Sequence, residues 1–329
     1  MKTYIPYSLL LAAAASGLAY GQTAYTTPVG YVSLSMPANS ATLLGLTLHQ
    51  PTRAAGILDA ESATSVTDNE VNFTTLLGAS GAATPTYILE LPNGVIQEVM
   101  SWSSNTLTTS QNITSFVTPG TTTYKLRKAS TISDVFGATN SAGLKATPTG
   151  DAGTYDEVLV LNAAGTAFVT AFYYNDGTFQ TWYDTNFNDV SNLPLVYADA
   201  LYVRRKSGLP LTLVNSGEVK TSATTITILP GNTFAGTVNP AGSTLGNSGL
   251  QNFVDPDNGV VGDAFDKVLI QQPNGSYVAY NYYNDGSFTS WYDANFVDAV
   301  NVPLSPGVVV QSATPTPKNA TINAPVIGN

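Results

Sequence analysis

The stretch Tyr155–Leu195 reads YDEVLVLNAAGTAFVTAFYYNDGTFQTWYDTNFNDVSNLPL, and Phe265–Leu304 reads FDKVLIQQPNGSYVAYNYYNDGSFTSWYDANFVDAVNVPL. The two align with a single one-residue gap. A chain that copies a module with its strands, turns and aromatic residues in place meets the same packing problem twice. That favours an architectural reading over a unique catalytic centre.

Each copy predicts a three-stranded meander. Glu157–Leu161 and Lys267–Gln271 are apolar, β-branched runs, as expected of a first strand covered on both faces. The turns Asn162-Ala163-Ala164-Gly165 and Pro273-Asn274-Gly275 follow, the latter with the Asn-Gly pair of tight hairpins. Second strands run through Phe168–Tyr174 and Tyr277–Tyr283. After Asn175-Asp176-Gly177 and Asn284-Asp285-Gly286, third strands carry Phe179, Trp182 and Tyr183, matched by Phe288, Trp291 and Tyr292. A polar loop (Asp184, Asn186, Phe187, Asp189 and its copy Asp293, Asn295, Phe296, Asp298) precedes a closing strand at Ala200–Arg204 or Gly307–Gln311. Upstream, Tyr87–Val99 and Thr121–Lys128 echo the pattern with Trp102. Short alternating runs dominate and long helical stripes are absent, so the fold class is all-β: two or three repeated antiparallel, sandwich-like modules built from hairpin meanders.

Residues 1–21 have the form of a signal peptide, with Lys2, an apolar run from Leu9 to Ala15, and Ala19-Tyr20-Gly21 placing cleavage before Gln22. That run is too short to span a membrane, and no other segment approaches the required length. The expected divisions are 22–130 for a diverged first module, 131–210 for the second, 211–313 for its duplicate, and 314–329 for a flexible tail rich in Pro. The chain has no Cys, so an exported product relies on packing and sheet hydrogen bonds, and thiol chemistry is excluded. Its net charge of −10, with only 10% charged residues, leaves no basic stripe for nucleic acid. Arg127-Lys128 and Arg204-Arg205-Lys206 read as solvated strand ends.

Candidate chemistry is sparse. His49 is the sole histidine, which argues against a Ser-His-Asp triad or a His-based zinc site. Carboxylates at Asp156, Glu157, Asp184 and Asp189 could support glycoside hydrolysis, but their recurrence at Asp266, Asp293 and Asp298 points to a local job done twice. Oxygen-rich segments at Asp255, Asp257 and Asp263, and at Asp184, Asn186 and Asp189, are candidate calcium ligands, with solvated turns as the plainer alternative. Tyr174, Trp182, Tyr183 and their copies Tyr283, Trp291 and Tyr292 are candidate glycan-stacking residues, or else core. Adjacent aromatics on a strand face opposite ways, so one of each pair can be exposed while the other is buried.

The order of TTPVGYVSL (26–34), the strand–turn–strand–aromatic pattern, a closing strand ending in Arg-Lys, GEVKT (Gly217–Thr221) and a later Pro-Gly-Asn resembles an uncharacterised family of verrucomicrobial secreted proteins. The resemblance covers most of the mature chain and implies an extracellular or surface-associated β-protein; it supplies no catalytic residues. The last unit departs from it, ending in Gln311-Ser312 instead of Arg-Lys. The expected function is a secreted, non-enzymatic structural or interaction protein of the cell surface or matrix, without a required cofactor, that self-associates or meets a surface or glycan partner. A lectin-like repeat protein is the alternative, and a glycoside hydrolase-like enzyme the third.

Overall fold

A computed structural model describes residues 29–81, 86–162, 167–238, 242–262 and 264–324. The expected signal segment, the turn residues 163–165 and Asp263 fall outside them. In chain order, β1 (Val29–Met36) and β2 (Ala41–Gly45) come first. Then follow β3 (Thr52–Ile57), β4 (Ala60–Ser62), β5 (Ser65–Thr67), helix α1 (Phe73–Leu77), β6 (Tyr87–Glu90), β7 (Ile96–Trp102), β8 (Thr106–Thr109) and β9 (Thr123–Lys128). After β10 (Ser130–Thr131) and helix α2 (Ile132–Phe136) lie β11 (Glu157–Leu161), β12 (Phe168–Asn175), β13 (Gln180–Asp184), β14 (Pro194–Leu195), β15 (Ala200–Arg204) and β16 (Leu211–Glu218). The last group is β17 (Thr224–Ile228), β18 (Gly231–Gly236), β19 (Lys267–Gln271), β20 (Tyr277–Asn284), β21 (Thr289–Asp293), β22 (Gly307–Ser312) and β23 (Lys318–Ile322).

The protein is all-β, with antiparallel sheets. Three of them share one strand order: first β3-β9-β6-β7-β8 extended by β5 and β4, second β2-β15-β11-β12-β13, and third β18-β22-β19-β20-β21. The duplicated segments keep the same register, with Val158 opposite Val203 and Ala171, and Val268 opposite Val310 and Tyr280. Two-stranded ribbons cover the second and third sheets: β1 with β16, and β17 with β23.

The cores follow from this layering. Leu34 and Met36 of β1 and Leu213 of β16 pack with Val158, Ala171, Trp182 and Val203. Ile226 and Ile228 of β17 and Ala320 and Ile322 of β23 do the same over Val268, Trp291, Val308 and Val310. The opposite faces of these two sheets meet at Leu43, Ala200, Tyr202, Phe234, Leu269 and Val309. Two glycines let the sheets approach. A Cβ on Gly45, at the end of β2, would lie 1.9 Å from the Pro306 carbonyl oxygen, and one on Gly236, at the end of β18, 2.3 Å from that of Tyr197.

Three features depart from the sequence reading. First, β1 and β2 precede the seven-stranded sheet in the chain yet pair with strands beyond it, so 52–128 sits between parts of one sheet-and-ribbon unit. Second, the expected flexible tail contains β23, whose Ala320 and Ile322 are buried. Third, two of the supposed solvated basic residues are interior. Arg205 is 3% exposed with Nε 2.9 Å from Asp156 Oδ2. Arg127 lies between Glu90 (2.7 Å) and Glu218 (2.9 Å). A buried cation needs such a partner to offset its lost hydration.

Candidate functional site

The strand alternation sorts the aromatic residues. In the β12–β13 hairpin Tyr173 faces Trp182 inward, while Tyr174 and Tyr183 point out. In β20–β21 Tyr282 faces Trp291, with Tyr283 and Tyr292 outside. Trp182 and Trp291 are 0% and 2% exposed, so the expectation that they stack on a glycan is corrected: both are core. Trp182 Nε1 donates to the carbonyl of Gly137, the C-cap of α2, at 2.8 Å. Trp102 Nε1 likewise donates to Gly78, the C-cap of α1, at 2.7 Å. Trp291 Nε1 has no acceptor among the described residues.

A third ring joins each outward pair. The Asp184 carboxylate accepts from the backbone N–H of Asn186 and of Asn188, both at 2.8 Å, and the Phe187 N–H bonds the Asp184 carbonyl. Asp293 does the same for Asn295 and Val297, at 2.8 and 2.9 Å. These turns hold Phe187 (φ 60°) and Phe296 (φ 58°) in the left-handed region, costly for a bulky residue and a mark of imposed local geometry. Both rings are thereby lifted beside the tyrosines. Centroids lie 5.9 Å apart for Tyr174–Phe187 and 5.7 Å for Tyr183–Phe187, against 6.1 and 5.9 Å for Tyr283–Phe296 and Tyr292–Phe296. Phe187 and Phe296 are 51% and 65% exposed, and Phe288 extends its patch, 6.1 Å from Tyr292.

Each face has a polar margin. Asp176 accepts from the N–H groups of Thr178 and Phe179, and Asp285 from those of Ser287 and Phe288. The Phe179 N–H foremost, with that of Thr178, lowers the Asp176 pKa; Ser287 and Phe288 lower that of Asp285. The hydroxyls of Tyr174 and Tyr283 donate to Asp176 and Asp285 at 3.3 Å. Gly177 (φ 88°) and Gly286 (φ 86°) supply the left-handed positions of these turns.

The candidate metal residues are engaged by the protein itself. Asp189 and Asp298 accept from the N–H of Ser191 and Val300. Asp257 accepts from the Gly259 N–H and the Asn281 amide, and Asp255 lies 3.1 Å from Lys318 Nζ. The Asn186 backbone N–H donates to Asp184. Among the described residues, no group of three or more His, Asp or Glu is placed to hold a metal ion. The other acid candidates also have structural partners: Asp156 the N–H of Lys145, Lys206 and Ser207, and Asp266 those of Asp255 and Ala313. Glu157 pairs with Arg204 at 2.7 Å. His49 is enclosed against Tyr197 at 4.3 Å; desolvation, then the charges of Arg127 and Lys220, lower its pKa to about 3. It is neutral at ordinary pH and remote from solvent.

The rings singled out in the sequence therefore divide cleanly: Tyr174, Tyr183, Tyr283 and Tyr292 share outer faces, and Trp182 and Trp291 are buried beneath them. Phe187 and Phe296 were the missed members. Their signal was the fixed Asp-x-Asn-Phe spacing, which in hindsight marks an Asx turn presenting a ring. No family model, curated protein or solved structure matches the chain. Among the described residues no helix is long and apolar enough to cross a membrane.

Proposed function

We propose that the protein is a secreted, non-enzymatic interaction component of the cell surface or extracellular matrix, working through its two outer aromatic faces. The observation that supports this most is the repetition, at matching places in two sheets, of an exposed phenylalanine held on the same strained turn beside two half-buried tyrosines. Exposed aromatic patches are a common mark of contact surfaces. Edge-on association is the weaker route. The loop after β13 doubles back on that edge strand, with the Val190 N–H bonded to the Trp182 carbonyl, and Ala299 does the same to Trp291. Edge groups so occupied are withdrawn from pairing with another chain.

Two self-complementary faces on one chain propagate: face-to-face contact at both ends joins copies into a linear array. Sedimentation velocity at rising concentration tests this. Growth beyond a monomer, with retention of the protein on intact producing cells, is the expected result; a strict monomer that does not stay on cells overturns it. Glycan binding is the second reading, favoured by the Tyr174–Asp176 and Tyr283–Asp285 pairs beside the rings. A glycan array separates the two, because binding lost in Tyr183→Ala with the fold intact assigns the faces to sugar.

A further inference from the structure

A cleft of about 550 Å³ opens where the three large sheets converge, remote from the aromatic faces. Its walls come from β6 and β7, from β11 and β12, and from the segment 193–201 with β17 and β18. Ile96 and Phe234 give it apolar surface. Glu98, half-buried, and Asp199, open to solvent at the crowded wall, are the only titratable groups among its described lining residues. Neither carboxylate has an ion-pair or hydrogen-bond partner among the described residues. Gln97, 9% exposed, lines the same cleft; its carbonyl accepts from Ser110 Oγ at 3.3 Å, and its amide nitrogen has no acceptor among the described residues.

These groups ask for complementary chemistry. Two acids in one cleft repel each other, and no Lys, Arg or His in the described lining offsets them. An amide N–H in the cleft wall can donate to a ligand oxygen. The apolar wall accepts a carbon face, and the volume suits a small molecule. We propose that this cleft binds an organic ammonium ion that also carries hydroxyl groups, an amino sugar being the simplest member of the class. The ammonium sits with Glu98 and Asp199, and a ligand oxygen takes the Gln97 N–H.

The crowding of the cleft agrees with this. Desolvation, then the charge of Glu98, raises the Asp199 pKa to about 6, and desolvation raises that of Glu98. Asp199 therefore gains charge as pH rises through about 6, and affinity for a cation rises with it.

Calorimetric titration of the full chain with glucosamine, glucose and spermidine tests the proposal. Glucosamine should bind saturably, with glucose and spermidine each weaker by about tenfold or more. Glu98→Gln and Asp199→Asn should each weaken glucosamine by about tenfold, and lowering the pH from about 7 to about 5 should weaken it further. Glucose or spermidine binding as tightly as glucosamine, unaltered binding in both acid variants, or no saturation with any probe overturns the assignment. Carboxyl NMR titration of the wild-type protein avoids dependence on variants: glucosamine should lower the pKa of both acids, and unmoved titration curves contradict the site.

Discussion

The second and third sheets solve the same problem with different parts. In the second, Asp156 is neutralised by Arg205, which directly follows the closing strand β15. In the third, Ser312 stands where Arg205 would be, and Lys318 arrives from β23 to pair with Asp266. Trp182 has its indole N–H bonded to Gly137, whereas Trp291 has no acceptor among the described residues. Yet both outer faces keep two tyrosines beside a left-handed phenylalanine, even though Phe172, which also meets Phe187, is Asn281 in the copy. The internal fixings have drifted further than this exposed trio. A surface kept at the cost of backbone strain, over interiors that differ, is the part of the duplication on which the proposed function rests.

The largest expected effect tests the shared core. Trp182→Ala and Trp291→Ala should each cost ~3–5 kcal/mol in chemical denaturation, since both remove a fully buried indole. A loss below ~1 kcal/mol in either would return that ring to the surface. Next come the two cations. Arg205→Met should destabilise by ~3–5 kcal/mol, leaving Asp156 buried and unpaired. Lys318→Met should cost less, ~1–3 kcal/mol, because its side chain is 22% exposed and water can reach the site. Equal losses would erase the contrast between the sheets.

Smaller still is the difference between the indole N–H groups. Trp182→Phe leaves the Gly137 carbonyl without its donor, so it should exceed Trp291→Phe by ~1–2 kcal/mol in the same assay. Smallest is the change at the faces. Phe187→Gly relieves a left-handed bulky residue while removing exposed ring contacts, and its stability should stay within ~1 kcal/mol of wild type. A large loss would show that the ring supports the fold.

Much of this was legible in the chain because the informative patterns were local. The first strands Glu157–Leu161 and Lys267–Gln271 and the closing strand Ala200–Arg204 fall where alternation and turn residues place them. Alternation also required Trp182 and Tyr183 to part company, but it could not say which faced inward; that depends on the ribbon lying over one side of the sheet. The pairing of β1 with β16 and of β2 with β15 joins residues far apart in sequence, and no local pattern encodes it. In β23 the alternating Ala320 and Ile322 were masked by the prolines before them. Arg127 and Arg205 resembled solvated ends because their carboxylate partners arrive through folding, Glu218 from a distant strand and Asp156 from across the sheet.

The central claim is that the two aromatic faces are equivalent working surfaces. Sedimentation velocity of wild type, Phe187→Ser and the Phe187→Ser/Phe296→Ser double variant tests it most directly. The account predicts concentration-dependent assembly beyond dimers for wild type, arrest at dimers with one face removed, and a monomer with both removed. A double variant that assembles like wild type would contradict it.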